Sequence, residues 1–527
     1  MFRINYIWAL LMIVALTSCE QGKYDREIEP PIEVVSGDAD FSNMVTLGAS
    51  FVAGLSDGTV FIASQENSFP NIMAQQMSLA GGGEFVQPLV SDNIGGLLLV
   101  GNVIARPRLY FDGAGPVPVE AVPTTEVSNI ITGPFNNMGV PGAKSFHLVA
   151  PGYGNVAGVE PGLANPYFAR MASSPNITVL EDAASQNASF FVISEIAGND
   201  VLGYATSGGT GVDQTGNLDP TTYGPNDITD PNVFAQVLNT VVGTMTANGA
   251  KGVIGNIPAV SSLPYFTTVP WDPWNPSNIG PQIPALNAFY ARLNAAFAFL
   301  QVPERSIIFS ETESSGVVII DDSLANISAQ LTAVLIGGGL DVPTATLLGN
   351  QFGQSRQATA EDLLVLTSRA LIDPDPLNKE YADFLISQGV SPEQAGLLAL
   401  NGITYPLADQ WVLSEAEQDA VNTATDAYNV SIAAAVAQKG LAIVDTKGLL
   451  EELATNGLSS DGFVLTDDYI TGGAFSLDGI HLNARGYAYL ANEFLKAIDE
   501  TYGSNFEDAN ALVDIGDYPV LYSPVLR

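Results

Sequence analysis

Apolar positions along this chain follow two spacings. Short continuous runs occur at Met44 to Gly48, Ser189 to Ser194, Gly252 to Asn256, Gly316 to Asp321 and Leu441 to Asp445. Runs of that length bounded by turn residues predict buried strands. Ser145 to Ala150 is a further strand candidate. Between the runs lie stretches with apolar residues three and four apart: Asn232 to Ala247, Ala285 to Leu300, Ser414 to Lys439 and Ala484 to Glu500. That period predicts helices with one face on a core. Leu324 to Gln388 reads as mostly helical and has the length of an inserted subdomain. Gly81 to Pro134 is rich in Gly, Pro and Val, and predicts an irregular or β-like decoration. Gly203 to Asp230 predicts a long surface loop. Strands separated by helices over such distances predict a mostly parallel α/β sheet covered on both faces.

The N-terminus departs from this pattern. Arg3 precedes an apolar stretch from Tyr6 to Leu16, which is too short for a mature membrane span. Leu16-Thr17-Ser18-Cys19 follows, with the chain's only cysteine after small residues. This is similar to a bacterial lipoprotein signal, which implies removal of residues 1–18 and lipidation of Cys19. An ordinary secretory signal with a stray cysteine is the plainer alternative. Residues 19–40, polar and passing through Pro30-Pro31, are expected to be a flexible tether. The expected home is the cell envelope, at the outer membrane, held by lipid rather than by a span. A lone cysteine also rules out a disulfide within the chain.

Composition narrows the function classes. Eighteen basic and 56 acidic residues give a net charge of −38, which would repel phosphates, so nucleic acid is not an expected partner. Hydrophobic residues make up 46% of the chain, enough for a large core. There are only two histidines, His147 and His481. Histidine is the side chain whose ordinary pKa lies near neutrality, so an imidazole base must be one of these two. Neither a cysteine cluster nor a pair of histidines at ligand spacing is present, so neither a metal nor a cofactor is expected.

Sites on parallel α/β sheets form beyond the C-terminal ends of the strands. Four segments are expected there. Leu47-Gly48-Ala49-Ser50 places a serine at the turn out of the first strand. Asn137-Met138-Gly139-Val140-Pro141-Gly142 ends in a glycine whose N–H can approach a ligand. Gly198-Asn199-Asp200 follows the run at Ser189 to Ser194, and Asn199 can donate a side-chain N–H. Asp478-Gly479-Ile480-His481 puts a carboxylate three residues before an imidazole. Taken singly, a serine after a strand is usually a helix cap and Gly-Asn-Asp is usually a turn. In this order, the four supply a nucleophile, oxyanion donors, a base and its orienting acid.

In these blocks the chain resembles the SGNH, or GDSL-like, serine hydrolases. The resemblance spans Gly48 to His481. It implies a flavodoxin-like three-layer α/β/α sandwich over residues 41–505, with insertions at about 81–135 and 324–401, including a helical subdomain. Residues 506–527 would form a C-terminal extension. It further implies Ser50 as nucleophile, His481 as base and Asp478 as its partner. The Ser50 N–H, Gly142 and Asn199 would form the oxyanion hole. The implied activity is hydrolysis of an acyl ester, by a lipid-anchored esterase or lipase or by a carbohydrate O-acetyl esterase. The substrate would be an acyl lipid or an acetylated glycan. A non-catalytic surface lipoprotein that uses the same fold to bind is the alternative. Two departures stand out: Ala49 replaces the family's Asp before the serine, and Gly198-Asn199-Asp200 lacks the spacer between Gly and Asn.

Three other features read more plainly. His147, on an apolar run, is expected to be structural. Trp271 and Trp274, on a Pro-rich loop, are expected to pack rather than to form an aromatic lip. Asp467-Asp468 is expected to be a solvated loop.

Overall fold

The computed structural model describes residues 32–526, so the signal segment, Cys19 and most of the tether lie outside the described residues. Five strands form one parallel sheet: β1 (Met44–Gly48), β2 (Asn137–Gly139), β3 (Phe190–Ser194), β4 (Lys251–Gly255) and β5 (Ala442–Val444). Their spatial order is β2-β1-β3-β4-β5, with every pair parallel. This is the 2-1-3-4-5 order of a flavodoxin-like sheet, in which the strand order reverses between β1 and β3. β1 and β3 are buried along their whole length, as their continuous apolar runs require.

Helices flank the sheet. Those that matter here are α1 (Ser50–Ala53), α2 (Phe69–Met77), α3 (Val179–Ser185), α4 (Asn199–Thr206), α5 (Pro231–Met245), α6 (Ile283–Phe299), α7 (Glu415–Lys439), α8 (Thr446–Thr455) and α9 (Ala484–Tyr502). α2 packs on α9, and α5 packs on both α3 and α7, which gives the three layers. The helix starts are legible in the sequence. Asp230 accepts the N–H groups of Asn232 and Val233 ahead of Pro231, and Ser414 and Glu417 form a capping box at α7. Gly440 ends α7 in the left-handed conformation.

The insertions differ from expectation in extent. Residues 81–135 hold two small hairpins, Leu97–Leu99 with Asn102–Ala105 and Leu109–Phe111 with Pro116–Pro118. The helical insertion is wider than 324–401. Buried residues from Val269 to Val412, including those of α6, form a hydrophobic cluster separate from that of the sheet. Val318–Ile320, from the run expected to join the main sheet, pairs instead antiparallel with Ser355–Gln357 inside this subdomain. A buried apolar run specifies a strand but not which sheet will bury it. Ser145–Val149 is a 3-10 helix rather than a strand. Its Ser145 N–H and hydroxyl both donate to the buried Asp200 carboxylate, at 2.7 Å each, which holds the segment in a turn.

Both ends of the described chain are tied down. Val35 donates to Asn505 Oδ1 and Asp38 to the Tyr502 carbonyl, so the expected tether is already anchored before residue 40. Phe506 and Ile515, in the expected extension, are fully buried in the main core.

Candidate active site

Ser50, Gly142, Asn199 and Glu195 all follow C-terminal ends of the adjacent strands β1, β2 and β3, at the switch point of the sheet. Ser50 begins α1 directly after β1 and is buried. Its short helix sits tightly against β2. A side chain at Gly139 would place its Cβ 2.4 Å from the Ala53 nitrogen, so this position admits only glycine. Asn137 completes the joint by donating to the Val52 carbonyl at 2.8 Å.

His481 and Asp478 form the second half of the site, on the loop before α9. The His481 Nδ1 lies 2.9 Å from Asp478 Oδ2. The backbone N–H groups of Ile480 and His481 donate to Asp478 Oδ1 at 2.9 and 2.8 Å, and Gly58 N–H donates to Oδ2 at 2.9 Å. Ser476 Oγ adds a fifth bond at 3.1 Å. Burial alone would raise the Asp478 pKa, but the His481 charge and these hydrogen bonds outweigh it and hold the carboxyl below its ordinary value. Burial likewise opposes charge on His481, yet Asp478, followed by Glu195, raises the imidazole above its ordinary value. An aspartate that accepts from Nδ1–H leaves Nε2 as the basic nitrogen. Nε2 is buried and has no hydrogen-bond partner among the described residues. The ring of Phe51, the residue after Ser50, meets the imidazole edge-on, with centroids 5.7 Å apart. Serine turn and histidine loop therefore share one space.

The loop is braced by a segment that the sequence did not single out. Asp57 donates its N–H to Ser476 Oγ at 3.0 Å and accepts the Leu477 N–H at 3.1 Å. Burial pushes the Asp57 carboxyl up to about 7, with the nearby Asp478 adding to the rise. Tyr265 N–H donates to the Gly479 carbonyl at 2.9 Å from the other side, from the segment that precedes the helical subdomain.

The three residues expected as oxyanion donors follow β1, β2 and β3, and their N–H groups are not equally free. Gly142 takes φ +77°, a conformation suited to glycine, and the space its Cβ would occupy is open. Asn199 starts α4 and donates one side-chain N–H to the Ala143 carbonyl at 3.0 Å, leaving its second N–H for a ligand. The Ser50 turn is already engaged. Ala49 stands at its cap position with no side-chain acceptor, and Glu195 takes that part instead. The Glu195 carboxylate accepts the Phe51 N–H at 2.8 Å and also interacts with the Ser50 N–H. Glu195 lies just past β3 with φ +56°, a strained value for a non-glycine residue. Its only signal in the sequence is an acid between the apolar run of β3 and Gly198-Asn199-Asp200.

His147 is built into the fold. Its Nδ1 accepts the Lys144 N–H at 3.1 Å, and its ring stacks on Tyr153 at 4.4 Å and 9°. Burial, helped by the Lys144 charge, lowers its pKa to about 4, so it stays neutral near pH 7. Trp274 is also structural: it is buried and donates to the Gly402 carbonyl at 2.8 Å.

A cavity of about 110 Å³ opens beside Phe51, Glu195 and Ile480 and is walled mainly by leucines of α8 and its surroundings. Among the described residues, one group of acids, Asp322, Asp409 and Glu417, could share a cation, their ligand oxygens lying within 4.8 Å of one another. It includes no residue of the serine–histidine site. No described helix is long and apolar enough to cross a membrane. Compared with protein-family models, curated proteins and solved structures, the chain matches none.

Proposed function

We propose that this protein is a serine ester hydrolase of the SGNH type, anchored to the bacterial envelope by lipid at Cys19. The observation that carries the reading is the Asp478–His481 pair, held by five hydrogen bonds to the acid, with a buried, unpartnered Nε2 beside the Ser50 turn. Buried polar atoms normally have partners, so an orphan basic nitrogen in that place fits a proton acceptor awaiting its donor.

The chemistry follows from the groups present. His481 Nε2 takes the Ser50 Oγ proton as Oγ bonds to the ester carbonyl carbon. The carbonyl electron pair moves to oxygen, which the N–H groups of Ser50 and Gly142 and the Asn199 amide stabilise. Collapse expels the alcohol, which takes the proton from His481. Water then attacks the acyl-serine through the same base. Asp478 stabilises the imidazolium without accepting its proton. Removing one oxyanion donor in such a site costs on the order of 100-fold to 1000-fold in rate.

The leucine-walled cavity beside Phe51 supports a small apolar acyl group. An acetylated glycan presents such a group, whereas a lipid ester presents a longer chain on a different leaving alcohol. The alternative, a binding module on a hydrolase fold, is favoured by one observation: Glu195 already occupies N–H groups that turnover needs. A panel of p-nitrophenyl esters of rising acyl length, together with O-acetylated xylan fragments, separates the readings. The wild type is expected to turn over at least one member at a rate that Ser50→Ala abolishes. Equal inertness of both proteins across the panel would remove the hydrolase reading.

A further inference from the structure

Among the described residues, Glu195 is the acid that binds the nucleophile turn. Its carboxylate binds the Phe51 N–H at 2.8 Å and interacts with the Ser50 N–H, a donor that an ester oxyanion would need. It is held close by Gly198, whose Cβ position is 2.6 Å from the Glu195 Cγ. The backbone pays for this placement with a left-handed φ of +56°. Few arrangements would keep a strained glutamate here if a neutral cap were enough, since Asn, Ser or Thr at position 49 would cap the turn locally.

We propose that Glu195 is a built-in competitor for the oxyanion site: its carboxylate holds the Ser50 and Phe51 N–H groups until a proton or the substrate displaces it, and it thereby sets the pH range in which the site works. This rests on the serine hydrolase reading for its catalytic consequence. The electrostatic coupling it requires does not.

The groups facing Glu195 come from three elements. α1 offers the Ser50 and Phe51 N–H groups, the loop before α9 offers His481 with Asp478 behind it, and α9 offers Tyr487. Tyr487 is fixed by donating to the Leu55 carbonyl at 2.7 Å, so His481 is the cationic partner. Burial pushes the Glu195 carboxyl up to about 7, against the pull of His481 and the N–H groups. Above that pH, Glu195 has lost its proton to solvent. The anion then grips the N–H groups and repels the developing oxyanion. Below it, one proton taken onto Glu195 leaves a neutral acid that accepts more weakly. The same carboxylate raises the His481 pKa, so the two limbs of the pH profile are coupled.

The test is an NMR titration of wild type and Glu195→Gln, in which only His147 and His481 contribute imidazole signals. Glu195→Gln is expected to lower the His481 pKa by about one unit, the size of a close charge effect, and to leave His147 unmoved. In the wild type, the His481 signal should show a second inflection that Glu195→Gln removes; an inflection that persists in the variant belongs to Asp57 rather than Glu195. In turnover, the alkaline limb of kcat/KM should vanish in Glu195→Gln and the acid limb should move to lower pH. An unchanged His481 pKa in a folded Glu195→Gln overturns the proposal. If that variant does not fold, a single-site His481 curve in the wild type overturns it. Loss of ester turnover in every protein, with the His481 shift present, would instead count against the hydrolase reading alone and leave the competitor in place.

Discussion

His481→Ala is expected to lower kcat/KM by roughly 10⁴-fold to 10⁶-fold, whereas His147→Ala leaves most of the activity. The contrast is the largest functional effect the site predicts, because the chain has only these two imidazoles and their surroundings differ. Asp478 fixes the His481 ring through Nδ1, and the imidazole pKa is raised, so Nε2 is a competent base. His147 spends its Nδ1 on the Lys144 N–H and its ring face on Tyr153, and its pKa falls to about 4. His147→Ala should therefore show up as a lower melting temperature rather than as lost chemistry. Steady-state kinetics on both variants, with circular dichroism to confirm folding, checks the pair. Activity retained in His481→Ala but lost in a folded His147→Ala would move the base to the other histidine.

Asp200→Ala is expected to give the largest stability loss among the site's supports, about 3 kcal/mol. Asp200 is fully buried, and it binds both the N–H and the hydroxyl of Ser145 at 2.7 Å. Truncation leaves those two donors without an acceptor inside the core. It also loosens the turn after Gly142 and the start of α4, where Asn199 donates to Ala143. Chemical denaturation should report the lower stability, and kcat should fall through the oxyanion donors with Ser50 and His481 intact. Asp200→Asn, which keeps one acceptor oxygen, should lose less. Stability and rate both unchanged in Asp200→Ala would show that the third sequence block does not support the site.

Much of this was legible before the structure. β1, β3 and β4 appear as apolar runs because both faces of a parallel sheet are buried there, β5 appears as one although Ile443 is exposed at the edge, and α5, α7 and α9 appear in their apolar period and caps. β2 is only three residues long and carries Asn137, so no run marks it, although its Asn-x-Gly-x-x-Gly block was visible. Ser145 to Val149 looks like a strand until the Asp200 contact, 55 residues away in sequence, curls it into a helix. The run at Gly316 to Asp321 was strand-like, but a separate core claimed it. Ser50, Gly142, Asn199, Asp478 and His481 were readable because each sits in a short motif. Asp57 and Glu195 were not, since each acts through contacts 144 residues or more away in sequence, without a local pattern.

Reaction with a fluorophosphonate probe, followed by peptide mass spectrometry, tests the central claim most directly. Such a probe phosphonylates a serine, with loss of fluoride, only where a base and an oxyanion site activate it. The account predicts one adduct, on Ser50, formed faster at about pH 6.5 than at pH 8.5, and absent from Ser50→Ala and His481→Ala. A folded wild type that takes no adduct at Ser50, or takes it equally well without His481, would contradict it.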